Sequence, residues 1–291
     1  MKGRSTFEVS VIIPVYHAEK YLEEAVISAL QHQCVKEVLL VEDRSPDNAL
    51  FLCKELERNE PRVKLLQHPG GENRGAGASR NLGIRNAACE YVAFLDADDW
   101  YLPNRFDAEL KLFADPAIDG VYGATAVYDN EKGLLDLASL STVKASDSNT
   151  PLLMTLLTPG AGRFTTDAIT VRKSLLDKTG LFETSLRLHQ DTHLWLRLAH
   201  NGNLVKGITE EAICVRRVHH LNRIATKNVI SRQLLYEKVF ETFLQYQHVY
   251  PPAFRMIFKR YLSGISTSRL KQLFEMLRII GKNPSILNKL F

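Results

Sequence analysis

Apolar positions in the first hundred residues alternate between two periods. Val9–Val15 (VSVIIPV) is a continuous β-branched run stopped by Pro14, after which Tyr21, Leu22, Ala25, Val26, Ala29 and Leu30 recur at helical spacing. A strand is therefore followed by a helix. Glu37–Glu42 (EVLLVE) predicts a second strand, the polar turn Asp43–Asn48 follows, and a helix runs to about Arg58. Val63–Gln67 predicts a third strand and leads through the glycine-rich HPGGENRGAG into a helix over about Ala78–Ala88, before a fourth strand at Tyr91–Leu95. Strands apolar on both faces and alternating with helices predict an α/β fold with a mostly parallel central sheet and right-handed crossovers. In such sheets ligands lie beyond the carboxyl ends of the strands.

After Trp100 the pattern loosens. It predicts a helix over Asn104–Ala114, one strand over Gly120–Tyr128, a turn at Asn130–Gly133 and a polar loop over Ser139–Thr150. A strand at Ile169–Arg172, a helix at Thr192–His200 ended by Asn201-Gly202, and an apolar run at Ala212–Val215 come next. From about Asn228 the reading is helical, broken at Pro251-Pro252 and at Gly281–Pro284. The expected organisation is a domain over 1–225 and a helical, basic extension over 226–291.

Composition changes this picture in two places. The 291 residues are 45% hydrophobic and 24% charged, which excludes a disordered or low-complexity chain. The net charge of +4 is unevenly placed: residues 251–291 hold eight Lys/Arg against Glu275 alone, so the rest of the chain is slightly acidic. A nucleic-acid binder does not fit, because the basicity belongs to the tail and no recognition motif accompanies it. Cys34, Cys53, Cys89 and Cys214 form no C-x-x-C pair, which suits reduced thiols in the cytoplasm. No apolar run reaches the ~18 residues of a membrane span. The amphipathic tail helices around Tyr261–Ile280 are expected to pack on the domain, and the alternatives are peripheral contact with an anionic membrane surface through the basic residues or a homodimer.

Candidate chemistry gathers at strand ends. Asp96, Asp98 and Asp99 (FLDADDW) close the fourth strand, and three carboxylates in four residues repel one another unless a cation offsets them. A hard divalent ion, Mg²⁺ or Mn²⁺, suits such oxygen ligands, although acidic turns also occur as plain solvated loops. Tyr16 follows strand one and Asp43 strand two, at the same predicted sheet edge. The segment NRGAGASRN lacks the spacing of a dinucleotide fingerprint or a P-loop, but its small residues permit close approach to a ligand, and Arg80 could bind phosphate or a base carbonyl. Asp191 reads either as a helix N-cap or as a carboxylate kept ionised by the helix start. His219, His220 and Asn222, beside Arg216 and Arg217, read as a solvated loop or as part of an ion and phosphate site.

Taken in order, VSVIIPVYHAEKYL, VEDRSPD, NRGAGASRN-x-G, FLDADD, G-x-F-E (Gly180–Glu183), QDTHLWLRLA and R-x-H-x-x-N (Arg217–Asn222) resemble glycosyltransferase family 2, the inverting GT-A transferases, over roughly residues 8–225. The resemblance implies a nucleotide-sugar donor, a UDP-sugar first among them. It places Pro14, Tyr16 and Asp43 around the base, Arg80 near the base or ribose, Asp96 toward the ribose and Asp98 on the metal bridging the diphosphate. Asp191 matches the family's catalytic base, and His219 a position that in some members helps bind metal or diphosphate. The implied acceptor is a glycan or a lipid-linked sugar of cell-surface or lipopolysaccharide-type biosynthesis.

Three positions depart from the family pattern. Glu42 replaces the first of two usual aspartates, Arg44 stands where glycine or asparagine is common, and Gln190 replaces the glutamate before the base. The Gln-x-x-Arg-Trp motif of processive synthases is absent, which favours transfer of one sugar. Two rivals remain at this level. A sugar nucleotidyltransferase would want a basic, glycine-rich loop after strand one, where PVYHAEKY stands; a non-catalytic glycan-binding member would not need Asp98 and Asp191.

Overall fold

A computed structural model of the chain describes residues 7–144, 150–219, 229–265 and 268–290. The β-branched runs form strands β1 (Val9–Val15), β2 (Val35–Glu42), β3 (Val63–Gln67) and β4 (Tyr91–Phe94), linked by helices α1 (Leu22–Leu30), α2 (Ala49–Asn59) and α3 (Ala76–Asn86). Among the described residues, seven strands build the main sheet in the order β10-β6-β9-β4-β1-β2-β3. Its further strands are β6 (Gly120–Tyr122), β9 (Ile169–Arg172) and β10 (Leu204–Lys206). Only β9 runs against the others, so the sheet is mostly parallel as expected.

The loosened region holds a second sheet that the periodicity did not announce. Its order is β5-β11-β7-β8, from β5 (Trp100–Tyr101), β7 (Ala124–Asp129), β8 (Leu134–Ser141) and β11 (Ala212–Val218). The single strand expected over Gly120–Tyr128 is thus two, in two sheets. Gly123 is the break, because a side chain there would collide with Ile213 and lie 2.7 Å from the carbonyl oxygen of Ile208. Ser139–Ser141 belongs to β8 rather than to a loop, and residues 145–149 of that loop lie outside the described ones. The helix expected over Asn104–Ala114 contracts to α4 (Glu109–Leu112), because the residues before it close three-residue turns, with the Arg105 N–H on Leu102 O and the Asp107 N–H on Asn104 O.

Alternation along β1 separates two cores. Val9, Val11, Ile13 and Val15 pack under α1 and α2, whereas Ile12, with Leu39, Val41 and Phe94, faces α3 and the later helices. Those helices are α5 (Leu152–Leu157), α6 (Lys173–Thr179), α7 (Gln190–Asn201), α8 (Val229–Gln245), α9 (Pro251–Ile265), α10 (Arg269–Lys282) and α11 (Ile286–Leu290). Pro251 and Pro252 sit in the first turn of α9, where their missing N–H groups cost nothing. Val239, Phe240, Phe243, Phe254 and Ile257 of α8 and α9 join the same apolar cluster as Phe164, Leu194 and Trp195. The C-terminal helices therefore pack on the α/β body.

Candidate active site

The end of β2 is tied to the start of α3 through one carboxylate. Asp43 is buried and donates its N–H to Val15 O at 3.0 Å, while its Oδ1 and Oδ2 accept the backbone N–H groups of Arg74 (2.6 Å) and Gly75 (2.8 Å). Gly75 has φ +84°, a conformation that glycine adopts without strain and that aims its N–H at Asp43. Asn73 Nδ2 adds a 2.7 Å bond to the Asp43 carbonyl. Glu42, longer than the aspartate of the pattern, accepts from Ser45 N–H at 2.5 Å and Gln67 Nε2 at 2.7 Å. Both acids thus set the shape of the strand-end loops.

At the end of β4 the acidic turn is held from several sides. Arg80, buried on α3, donates to Asp96, and the Asp96 N–H donates to Asp167 Oδ1 at 2.8 Å. Asp99 Oδ1 accepts the Arg217 N–H at 2.7 Å, and Arg217 Nε reaches the Asp98 carbonyl at 3.0 Å. The Arg217 guanidinium lies over the rings of Tyr21 (4.5 Å) and Trp100 (4.7 Å), which hold it flat against the turn. His219 Nε2 meets Asp98 Oδ2 at 2.9 Å. Carboxylate oxygens of Asp96, Asp99 and Asp167 all lie within 4.8 Å of one another.

So much negative charge in a buried turn raises the carboxyl pKa values. Burial, then the neighbouring Asp96 charge, pushes Asp98 up, with His219 opposing. Burial and the charge of Asp167 lift Asp99 well above the carboxylate range, and burial with Asp96 lifts Asp167 to about 7. A divalent cation relieves that repulsion, and oxygen donors with one imidazole suit Mn²⁺ or Mg²⁺. The donor set fits such an ion: Asp98 and His219 line the cleft together with Asp96, Asp99 and Asp167, and one oxygen each of Asp99 and Asp167 already accepts a backbone N–H.

Pro14, Tyr16, Asp43, Arg80, Asp96, Asp98, Asp191 and His219 all line one cleft of about 780 Å³. His220 and Asn222 lie outside the described residues. The far wall of the cleft is the start of α7. Its N-cap is His189 rather than Asp191; His189 takes a left-handed φ of 64°, and Asp191 sits in the first turn with Oδ1 accepting the Thr192 N–H at 2.7 Å. Oδ2 of Asp191 has no hydrogen-bond partner among the described residues. Gln190 donates to Leu186 O, and its side chain lies against Gly77 of α3, where any Cβ would collide with Oε1. Among the described residues, the non-glycine positions with positive φ are His17, Arg44 and His189, of which His17 and His189 line the cleft and Arg44 follows Asp43. Such strain concentrates where a fixed loop geometry is needed.

The family model described as glycosyl transferase family 2 matches residues 10–180, more than half of the chain. The chain belongs to glycosyl transferase family 2. An uncharacterized glycosyltransferase of Haemophilus influenzae is 31% identical over 46% of this chain, and the match spans 53% of that relative. Two uncharacterized Rickettsia glycosyltransferases are 30% identical over 72% of the chain, which spans only 33% of their length. The Escherichia coli UDP-Glc:alpha-D-GlcNAc-diphosphoundecaprenol beta-1,3-glucosyltransferase WfgD is 32% identical over 42% of this chain and 47% of its own. Among solved structures, residues 1–349 of S. aureus TarS in complex with UDP-GlcNAc align with a TM-score of 0.66 at 20% identity, covering 90% of this chain and 74% of that one. The mannosyltransferase PcManGT of Pyrobaculum calidifontis, in complex with GDP-Man and Mn²⁺, aligns at 0.59 and 19% identity over 96% and 80%. The fold is that of the GT-A glycosyltransferases.

Two residues that support the site, Asp167 and Arg105, escaped the sequence reading, in which Arg217 is only a neighbour of His219. Asp167 anchors the Asp96 backbone, Arg217 clamps the Asp98–Asp99 turn, and Arg105, fully buried, donates to the carbonyls of Asp167 (2.9 Å) and Ile169 (3.1 Å) and to Glu109 (2.6 Å). Arg105 and Glu109 stand four apart, a spacing that marks a helical ion pair. Asp167, single in a Thr-rich stretch, carries no local signal.

Proposed function

We propose that this enzyme is an inverting glycosyltransferase that moves one sugar from a nucleoside-diphosphate sugar, a UDP-sugar first, to an acceptor hydroxyl in cell-surface or lipopolysaccharide-type glycan assembly at the cytoplasmic side. The observation that carries this reading is the convergence of Asp98–His219 and Asp191 on one cleft from two separate elements. Pro14, Tyr16 and Asp43 border the base end, with Arg80 and Asp96 between base and diphosphate. Asp98 and His219 would hold Mn²⁺ or Mg²⁺, which when bound neutralises charge on the departing diphosphate. Asp191, through its carboxylate, accepts the proton of the attacking hydroxyl, and attack from the face opposite the leaving group inverts the anomeric centre. In this reading residues 1–225 carry the transfer and residues 226–291 extend it.

Two neighbours support the donor class, since TarS is in complex with UDP-GlcNAc and PcManGT with GDP-Man and Mn²⁺. The name of WfgD points to a diphosphate-linked lipid acceptor. Arg163, Arg187 and Arg216 line the cleft and supply the positive charge that a phosphate-linked glycan would meet. A thermal-shift screen of UDP-, GDP- and dTDP-sugars with and without Mn²⁺ tests the reading, because a ligand that binds the folded state raises its melting temperature. One donor should stabilise the protein only with the ion, and Asp98→Ala should abolish that ion dependence. Donor binding without hydrolysis or transfer would instead leave a non-catalytic binding module.

A further inference from the structure

Helix α10 carries two apolar rows. The inner row, Met276, Ile279 and Ile280, packs on the body, with Ile279 buried. The outer row, Leu270, Leu273, Phe274 and Leu277, follows the i, i+3, i+4, i+7 pattern of one helix face and is 64%, 46%, 68% and 58% exposed. Four large side chains on one face go well beyond the scattered exposed leucines of ordinary surfaces. Lys271, Arg278 and Lys282, all exposed, line one side of this row at i, i+7 and i+11, and Arg269 stands at its other side. Glu275 is the sole acid on the helix, and Arg278 already answers it at 2.7 Å.

We propose that the outer face of α10 seats on an anionic lipid surface. An apolar stripe bordered by cations is the pattern of a helix lying in the headgroup plane, with the leucines and Phe274 in the acyl boundary and the lysines at the phosphates. At fourteen residues α10 is too short to cross, and no described helix is long and apolar enough to do so. Charge decides between lipid and a second copy of this chain. Pairing α10 with itself sets Lys271, Arg278 and Lys282 near an identical row with no unpaired acid on the helix to meet them, whereas anionic headgroups complement the row directly. Each cation close to such a surface raises partition about fivefold. The inference is independent of the reading of the cleft.

The test is co-sedimentation of the full chain with phosphatidylcholine vesicles, with and without phosphatidylglycerol, at low and high salt. Binding is expected on the anionic vesicles alone, weakened by salt. Phe274→Ser with Leu277→Ser should lower it by at least about tenfold, and Lys271→Glu with Lys282→Glu by a similar factor. All four side chains are exposed, so the melting temperature of both variants should match the wild type and separate lost docking from lost folding. Absence of binding, binding indifferent to lipid charge, or variants that bind like the wild type would overturn the proposal. A concentration-dependent dimer in sedimentation velocity that Phe274→Ser with Leu277→Ser dissolves, without lipid binding, would overturn it in favour of self-association.

Discussion

The two walls of the cleft are built by different rules. The wall formed by the ends of β1, β2 and β4 follows from local order: each strand is succeeded by a loop and helix, and Tyr16, Asp43 and Asp96–Asp99 arrive at one edge because the strands are parallel. The opposite wall is assembled from distant segments. Asp167 reaches Asp96 across 71 residues, Arg217 reaches Asp99 across 118 and His219 reaches Asp98 across 121. A wall set by chain order can be read along the sequence, whereas one set by long-range bonds depends on single side chains whose loss should be felt at a distance.

The largest effect is expected where the second wall supplies chemistry. Asp191→Asn keeps the size of the side chain and an oxygen for the Thr192 N–H, but removes the basicity of the carboxylate. Transfer should fall by about 10²–10⁴ while donor affinity, measured by calorimetry, stays near that of wild type. Retained turnover would reduce Asp191 to a residue that shapes the helix start.

Arg105 tests how far the second wall depends on one buried side chain. Arg105→Met leaves Glu109 buried without its cation and frees the carbonyls of Asp167 and Ile169, so stability should drop by about 3–5 kcal/mol in urea melts. Adding Glu109→Leu should recover much of that loss by removing the stranded charge. No recovery would assign the cost to the two carbonyls and not to the ion pair.

A smaller and more selective effect is expected where the walls touch. Gly77→Ala places a methyl group against the carboxamide of Gln190, the flexible end of a side chain, so stability should change by no more than about 1 kcal/mol. The displaced Gln190 precedes Asp191, and a misplaced base is costly to the rate, so kcat should fall by about tenfold with donor affinity unchanged. Equal losses in kcat and donor affinity would show that α3 itself had shifted.

This contrast also explains what the sequence disclosed. The parallel sheet and its first four strands were legible, because β-branched runs and the motifs at their ends are contiguous signals, and the eight residues expected at the site line one cleft. The second sheet was not legible. Gly123 looks like any glycine within an apolar run, and its effect depends on Ile208 and Ile213, some ninety residues downstream. Likewise Asp191 reads as a cap by residue type, yet the left-handed turn at His189 takes that place, a conformation that residue identity alone does not dictate.

The smallest effect concerns pH and again separates a residue of the second wall from the scaffold. Asp167 is raised by burial and by Asp96 to about 7, so its folded form holds a proton that the unfolded chain releases near the ordinary carboxylate value. Its contribution is therefore fully present below that ordinary value and is lost as pH rises through about 7. His32 and His193 work in the opposite sense: burial lowers both to about 4, so the stability that their neutral forms give is present above the ordinary imidazole value and is lost as pH falls toward about 4. Without divalent ions the two effects oppose each other between about pH 4 and 7. Asp167→Asn cannot ionise, so its melting temperature should rise with pH more steeply than that of the wild type across this range and run parallel to it above about pH 8. A variant with the wild-type profile would transfer the proton to Asp99, its neighbour in the cluster, and would make that aspartate the titrating member of the pair.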